Sequence, residues 1–401
     1  MKLSQPLSFL KAIINHELSQ VNFEITIYTK NLDWLEFERL VNYHSIRPLV
    51  NSFFKKNNYQ YLPEELAKNL QKYAFDQTLF NLQSAQISNQ LLALLKENNI
   101  KALPYKGTLF VNKIYENTQL REGSDIDLLV EPQNAKKGIM LLMKEGYKVS
   151  LCNYQYKHVA PETLIDEILA TPDMYECSLK NEQMQIDFHF GVSYGFLPYK
   201  IQIEDYFNGA EEGELYRQKT LLPSAENMFW MMMLHHGGKE FWLRYKHVVD
   251  LIFFLKKYEK GINWNSILDQ ARAYHLYENM LTGFQVLKEH FNYVPPVPIA
   301  LALEKRPQFN MRPIEDYWEY AKKWDHLKGR LKYEKILWLH MPADKSKIRH
   351  YYNLLKSYSV PHPVEHSRII IFPKNWYFMN TIAKLFSYVF GKKTAFFTVP
   401  E

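Results

Sequence analysis

One short segment, Gly123-Ser124-Asp125-Ile126-Asp127-Leu128-Leu129-Val130, limits what this chain can fold into more than any other. Successive side chains of a strand point to opposite faces, so Asp125 and Asp127 share one face. Ile126 and Leu128 then point into a core. Two adjacent carboxylates repel each other, and a hard divalent ion such as Mg²⁺ neutralises them. Because Asp-x-Asp also occurs in surface turns, the metal interpretation depends on the neighbouring segments.

The segment before this strand predicts a phosphate-binding turn. Residues 100–105 are typical of a short buried strand, and residues 109–115 have the apolar content of a helix. Lys106, Gly107 and Thr108 lie between them. A glycine at a strand-to-helix turn lets backbone amides approach a phosphate, and the helix N-terminus favours its negative charge. Thr108 adds a hydroxyl donor, so we expect these residues to bind phosphate.

A third carboxylate follows in the segment Gln185–Phe190. Alternation puts its apolar residues on one face and leaves Asp187 and His189 on the other. Residues 174–179 are the predicted hairpin partner of this strand. Three carboxylates on neighbouring strands, facing a phosphate-binding turn, are typical of two-metal phosphoryl or nucleotidyl transfer.

Taken together, five landmarks resemble the bacterial nucleotidyltransferase-like family of the DNA polymerase beta-type nucleotidyltransferase superfamily. They are Lys106-Gly107, Arg121, residues 124–130, Gly146-Tyr147 and residues 186–189, and the resemblance extends from the N-terminal helices to about Trp264. Gly107-Thr108 stands where that superfamily has Gly-Ser. The resemblance implies an α+β fold, in which a small mixed β-sheet is flanked by N-terminal and C-terminal helical regions.

The same resemblance implies Mg²⁺-dependent transfer of a nucleoside monophosphate from an NTP, ATP by default, with release of pyrophosphate. Asp125, Asp127 and Asp187 would be catalytic and would bind two Mg²⁺ ions. The nucleotide contacts implied by the resemblance and by the phosphate-binding turn are Lys106, Gly107, Thr108, Arg121, Ser124 and Lys239.

A second polar segment, His235-His236-Gly237-Gly238-Lys239, is predicted at a helix end, where it can hold a phosphate or a base. Histidines at adjacent helix positions point in different directions, so we do not expect His235 and His236 to share a metal ion. The methionines before them have the spacing of a buried stripe. Asp250 is expected to pair with Arg244 or Lys246 on its own helix.

Length and composition set the remaining expectations. A chain of 401 residues has room for several domains. We expect an N-terminal helical region at 1–99, a nucleotidyltransferase core at 100–210, a helical region completing the cleft at 211–294 and a basic, aromatic-rich region at 295–401. Two cysteines without metal-ligand spacing favour a reducing cytoplasm. No apolar stretch is long enough for a transmembrane segment.

The partner stays open at this stage. Residues 301–401 carry 18 Lys and Arg against 9 Asp and Glu, which fits an acidic partner or a solvated basic face. No RNA-binding module is visible, so a small molecule, sugar or peptide ranks above nucleic acid as acceptor. The apolar segment 376–393 suits peripheral docking on a membrane or packing within the protein. The alternative function is a catalytically inactive nucleotide-binding or scaffold protein that binds a partner through its basic C-terminal region.

Overall fold

The computed structural model of the chain describes residues 3–19, 21–115, 117–152, 157–171, 174–307, 309–321, 326–341, 346–360, 372 and 374–390. The chain divides into two compact units. We call Met1–Asn89, Lys106–Ser124 and Gly209–Met341 the helical unit, and Gln90–Tyr105, Asp125–Asn208 and Pro342–Glu401 the sheet unit. Every helix among the described residues is too short or too polar to cross a membrane.

The helical unit is built from helices and one hairpin. Its helices are α1 (Gln5–Ser19), α2 (Ile25–Thr29), α3 (Trp34–His44), α4 (Arg47–Lys56), the first part of α5 (Glu64–Glu97), α6 (Gly107–Lys113), α10 (Ala225–Met232), α11 (Tyr245–Tyr258), α12 (Trp264–Ala273), α13 (Tyr277–Phe291), α14 (Val297–Lys305), α15 (Arg312–Tyr320) and α16 (His326–His340). A π-helix, Met233–Lys239, directly follows α10. The hairpin pairs β7 (Glu211–Leu215) with β8 (Gln218–Leu222).

The sheet unit contains a mixed six-stranded sheet in the order β1-β2-β6-β5-β3-β4. The strands are β1 (Ala102–Tyr105), β2 (Ile126–Val130), β3 (Lys148–Cys152), β4 (Lys157–Val159), β5 (Glu176–Lys180) and β6 (Gln185–His189). The helices are the end of α5, α7 (Ala135–Lys144), α8 (Ile165–Ala170), α9 (Ile203–Asn208), α17 (Ser346–Ser359) and α18 (Tyr377–Phe390). β2 runs parallel to β6, and the other pairs are antiparallel. This α+β architecture confirms the predicted fold class.

Local sequence signals explain several of these elements. α5 begins just after Pro63 and has acidic residues in its first turn. Their negative charge interacts favourably with the positive end of the helix dipole. The Ser224 hydroxyl accepts a hydrogen bond from the Asn227 backbone at 3.1 Å and caps the N-terminus of α10. Asn134 has a residue type that favours the N-cap of α7, but it has helical backbone angles and makes no capping bond. Its place is in a 3₁₀ turn that leads into α7.

The core of the sheet unit lies under the apolar faces of its strands. Ile126, Leu128, Ile186 and Phe188 are fully buried, so the predicted alternation of β2 and β6 is confirmed. α7 covers this face at close range. A Cβ atom on Gly138 would lie 2.5 Å from the Phe188 ring, so this contact requires glycine.

Two predicted segments extend beyond the described residues. The sequence also predicts an extended arm at residues 154–159, of which residues 154–156 lie outside the described part of the chain. The segment predicted to dock at the C-terminus contains α18, and residues 391–393 also lie outside. By contrast, the methionine stripe of α10 is fully described. Met228, Met231 and Met232 are buried in the helical unit, which confirms their assignment to the core.

Candidate active site

The predicted catalytic carboxylates lie in the sheet unit, on two neighbouring strands. β2 and β6 are in parallel register with Asp127 opposite Asp187. Asp125 comes one residue before β2 begins, where strand alternation puts it on the same face as Asp127. Asp127 is buried, with 4% of its surface exposed. Asp125 and Asp187 are half-buried. The structure therefore brings Asp127 and Asp187 side by side at one face of the sheet.

Asp187 is held by polar neighbours from its own hairpin. The Ser178 hydroxyl donates to the Asp187 Oδ1 atom at 2.6 Å, and the Gln185 amide donates to the same atom at 3.3 Å. Burial raises the pKa of the Asp187 carboxyl, and the negative charge of Asp127 raises it further. The hydrogen bond from Ser178 lowers this pKa but does not cancel the rise. The ionised form of Asp187 is therefore destabilised by its surroundings.

A histidine connects this aspartate pair to a fourth carboxylate. The His189 Nε2 atom lies 2.9 Å from Asp127 Oδ1, and its Nδ1 atom lies 3.0 Å from Glu176 Oε2. The His189 side chain is 1% exposed. Sequence reasoning put His189 on the polar face without a role, and it missed Glu176 and Ser178. The alternation of polar residues at 176 and 178 in the predicted hairpin partner was the signal available for both.

The donor set fits a magnesium site. Mg²⁺ prefers carboxylate oxygens. Burial and the negative charge of Asp127 both raise the pKa of Asp187, and a divalent cation would offset both effects. Asp125, Asp127 and Asp187 are not all within 4.8 Å of one another, so holding one ion between them would require side-chain rotation. The chemistry of the three side chains suits the ion.

The predicted phosphate-binding turn belongs to the helical unit, where α6 begins at Gly107. Lys106 precedes the helix with a φ of 43°, a left-handed value that is strained for a residue with a side chain. Thr108 is 4% exposed, and its hydroxyl lies 3.5 Å from the Ser88 hydroxyl. The strand-to-helix turn is confirmed, whereas a role of Gly107 and Thr108 in phosphate binding stays a prediction.

Arg121 lies in a buried network of the helical unit. Its Nε and Nη2 atoms donate to the two Asp250 carboxylate oxygens at 2.9 Å and 3.0 Å. The Tyr115 hydroxyl donates to Asp250 Oδ1 at 2.6 Å, and His236 Nε2 lies 3.1 Å from Oδ2. The expectation that Asp250 pairs with Arg244 or Lys246 is therefore wrong. A fully buried carboxylate needs the close bidentate contact that a guanidinium gives.

These contacts hold Asp250 ionised. Burial alone would raise the pKa of Asp250, but the charge of Arg121 and the hydrogen bond from His236 hold it well below its usual range. Arg121, itself 5% exposed, was predicted to contact the nucleotide. The structure gives its guanidinium a structural partner instead, and nucleotide contact stays a prediction.

Comparison with known proteins adds one finding. A profile of the protein family described as an uncharacterised nucleotidyltransferase matches residues 30–292. The chain belongs to this family. The match includes every residue predicted for the site, from Lys106 to Lys239, and ends before the basic C-terminal region. No curated protein matches the chain. Family membership supports nucleotidyl transfer as the class of reaction and an NTP as substrate.

Two of the residues predicted to contact the nucleotide in this nucleotidyltransferase lower the pKa of the same histidine. Lys239 ends the π-helix, and Lys106 precedes α6. Burial lowers the pKa of His235, and the positive charges of Lys106 and Lys239 lower it further. The helical unit therefore brings these two lysines near one imidazole. Ser124, the last residue of its segment of the helical unit, is exposed.

Proposed function

We propose that this nucleotidyltransferase moves a nucleoside monophosphate from an NTP, ATP by default, to a hydroxyl of a small molecule, sugar or peptide. The reaction requires Mg²⁺ and releases pyrophosphate. One observation carries the proposal, namely the parallel register that puts Asp127 opposite Asp187, where burial and then the charge of Asp127 raise the pKa of Asp187. Carboxylates that repel each other on a rigid strand pair suit divalent cations.

In this proposal, Asp125, Asp127 and Asp187 hold two Mg²⁺ ions. When bound, the ions neutralise the triphosphate charge and make the acceptor hydroxyl more acidic. The acceptor oxygen forms a bond to the α-phosphorus, and the bond between that phosphorus and the bridging oxygen breaks, so pyrophosphate leaves. Asp187 takes the acceptor proton on a carboxylate oxygen. His189 keeps the Asp127 carboxylate in a fixed orientation through the 2.9 Å contact.

We also propose nucleotide contacts for the helical unit. Lys106, Lys239 and the backbone of Gly107 would bind the β- and γ-phosphates, because two positive charges near a glycine turn attract a polyanion. Thr108, Arg121 and Ser124 complete the proposed set. Of these, Lys106 and Lys239 have the strongest support, since both act on the same His235 imidazole.

Calorimetric titration with a non-hydrolysable ATP analogue tests the metal assignment. We expect the wild type to bind the analogue with Mg²⁺ and to lose most of that affinity in EDTA. Asp127→Asn keeps the side-chain volume but removes one charge of the metal site, so binding should lose its Mg²⁺ dependence. Turnover, followed by pyrophosphate release, should fall about 10²–10³-fold, the equivalent of several kcal/mol of charge stabilisation.

Asp166→Asn is the matched control for this titration. Asp166 lies in the same unit, is 73% exposed and forms a surface ion pair with Lys136 at 2.7 Å. It should bind the analogue as the wild type does. If the folded wild type binds no nucleotide with or without Mg²⁺, the proposed reaction is wrong. The inactive scaffold then becomes the better interpretation, and the basic C-terminal region becomes the place to look for a partner.

A further inference from the structure

Three histidines gather in the helical unit and share no residue with the carboxylate site. His235 and His236 lie in the π-helix, and His247 lies in α11. One nitrogen of each lies within 4.8 Å of the others. Among the described residues, these three form the group of His, Cys, Asp or Glu side chains that are close enough to share a metal ion. The His235 and His236 Nδ1 atoms are 3.0 Å apart. The expectation that adjacent histidines diverge is therefore wrong here.

The π-helix accounts for this difference. Its wider turn changes the angle between consecutive side chains from that of an α-helix, on which the expectation rested. Single π-helical turns occur frequently at functional sites. Gly237 follows the histidine pair, and its carbonyl accepts a hydrogen bond from the Asn279 amide at 2.9 Å, which fixes the turn against α13. The histidine pair is thus held by tertiary contacts.

Asp250 sets the tautomer of His236. The Asp250 carboxylate forms a bidentate ion pair with Arg121, and its Oδ2 atom lies 3.1 Å from His236 Nε2, so Nε2 carries the hydrogen and donates it. A neutral imidazole with a hydrogen on Nε2 has a lone pair on Nδ1. That lone pair points to His235. A carboxylate that orients a histidine by its far nitrogen is the usual arrangement behind a metal ligand.

His247 supplies the second, independent observation. Its Nδ1 atom is buried and has no hydrogen-bond partner within the described residues. The residue is 4% exposed, and its ring stacks on that of His236 at a centroid distance of 4.6 Å. Leaving a buried polar atom unpaired costs about 1–3 kcal/mol. An ordinary hydrogen bond from His235 to His236 explains the first pair of nitrogens but leaves this one unexplained.

We propose that His235, His236 and His247 bind a divalent transition-metal ion, with Zn²⁺ as the ion that fits best. Imidazole nitrogens suit zinc, and three histidines are a known ligand set for it. Zn–N bonds of about 2.0–2.1 Å put tetrahedral ligand nitrogens about 3.3 Å apart. Because the rings of His236 and His247 are nearly parallel, at an angle of 14°, His247 would have to turn out of this stack to bring a nitrogen to the ion. A histidine must be neutral to bind a metal ion, so the site is expected to bind more tightly as pH rises.

Three protein ligands leave a fourth position open. His235 is the half-buried member of the cluster, so solvent reaches the site on its side. The positive charges of Lys106 and Lys239 lower the pKa of His235, so both lysines lie near the cluster. Their positive charge weakens the binding of a bare cation and favours an anion, such as hydroxide or a phosphate oxygen, at the fourth position. This site is separate from the carboxylate site and does not depend on the proposed reaction.

Cobalt substitution in the full chain, purified without a histidine tag and treated with a chelator, tests the site. We expect a single equivalent of Co²⁺ to give the intense visible bands of tetrahedral coordination, and Zn²⁺ to abolish them by displacement. His235→Ala removes a half-buried ligand with little loss of packing. His247→Gln provides a second variant if the first fails to fold. Each should weaken Co²⁺ binding by at least about 100-fold, since even losing an outer-sphere partner costs 10–100-fold.

His340→Gln is the matched control. His340 is buried in the same unit, and its ring nitrogens contact the Ile336 carbonyl and the Thr282 hydroxyl, so it should leave Co²⁺ binding unchanged. Asp127→Asn should also keep the cobalt spectrum, which separates this site from the magnesium site. Absence of a tetrahedral spectrum in the folded wild type, or equal Co²⁺ affinity in the wild type and both histidine variants, would overturn the proposal.

Discussion

Each unit contains a buried aspartate that contacts a histidine, but the charges that surround the two aspartates have opposite signs. In the helical unit, Asp250 contacts His236 and forms a bidentate pair with Arg121, and its pKa is held well below the usual range. In the sheet unit, Asp127 contacts His189, and its charge helps to raise the pKa of the facing Asp187. The charge of Asp250 is neutralised by Arg121, whereas Asp127 and Asp187 repel each other.

The difference shows which buried carboxylate belongs to the structure and which to chemistry. A carboxylate whose charge is matched within the fold contributes to stability and has no need of an added cation. Carboxylates that face one another lower stability until a cation binds, and such unfavourable sites are typical of functional centres. We therefore assign Asp250 to the fold, and Asp127 and Asp187 to the proposed metal site. The following predictions test that division.

The largest effect is expected for Arg121→Met, which leaves the Asp250 carboxylate buried without its ion-pair partner. Breaking a buried pair in this way costs about 3–5 kcal/mol. Urea unfolding followed by circular dichroism measures it. Arg272→Met is the control, because the Arg272–Asp269 pair is exposed at 54% and 82% and such pairs contribute about 0–1 kcal/mol.

A different outcome would assign Arg121 to nucleotide binding. If Arg121→Met unfolds like the wild type but requires far more NTP for half-maximal turnover, then its guanidinium binds phosphate, as the sequence predicts. The assignment of the Arg121–Asp250 pair to the stability of the helical unit would then be wrong.

A smaller loss of stability is expected for Tyr115→Phe. The Tyr115 hydroxyl donates to Asp250 Oδ1 at 2.6 Å in a buried setting. Hydrogen bonds to charged groups contribute about 1.5–3 kcal/mol, so the free energy of unfolding should fall by that amount. Tyr258→Phe is the control, since its hydroxyl donates to the neutral Lys113 carbonyl at 2.9 Å and should cost only about 0.5–1.5 kcal/mol. Equal losses in both variants would mean that the Asp250 charge adds nothing.

Sequence patterns predicted the sheet side of the comparison better than the helical side. The alternation in residues 125–130 and 185–190 fixed which face carries Asp127 and Asp187, because a strand has a period of two. The hairpin of β5 and β6 was predicted from turn residues, and the Asn181 side chain does accept from the Gln183 and Met184 backbones at 2.9 Å. What periodicity could not supply was the parallel pairing of β2 with β6.

The helical side depends on contacts between distant residues. Arg121 and Asp250 are 129 positions apart, and no local pattern indicates such a pair. The π-helix that brings His235 to His236 has no signal of its own in the sequence, because tertiary contacts such as the Asn279 hydrogen bond stabilise it. Sequence reasoning therefore found the chemistry of both segments but not their partners.

The smallest effect is expected for Asp187→Asn, which should increase the stability of the protein instead of decreasing it. Asp187 has a pKa raised above its ordinary value of 3.8, first by burial and then by the charge of Asp127. The native state thus binds this proton more tightly than the unfolded chain. Its contribution to stability is complete below the ordinary pKa and is lost as pH rises through the raised native value. In EDTA, Asp187→Asn should therefore be more stable than the wild type at pH 7–8.

Thermal unfolding at several pH values measures this gain. A gain of about 1 kcal/mol corresponds to about 2–4 °C in Tm for a unit of this size, and it should vanish as pH falls below the ordinary value. Mg²⁺ should raise the Tm of the wild type and leave that of the variant unchanged, because the ion removes the same repulsion. Asp166→Asn, which alters an exposed pair, should show neither effect. A loss of stability in Asp187→Asn at pH 7–8 would mean that the fold compensates this carboxylate as well as it does Asp250, and the contrast between the two units would disappear.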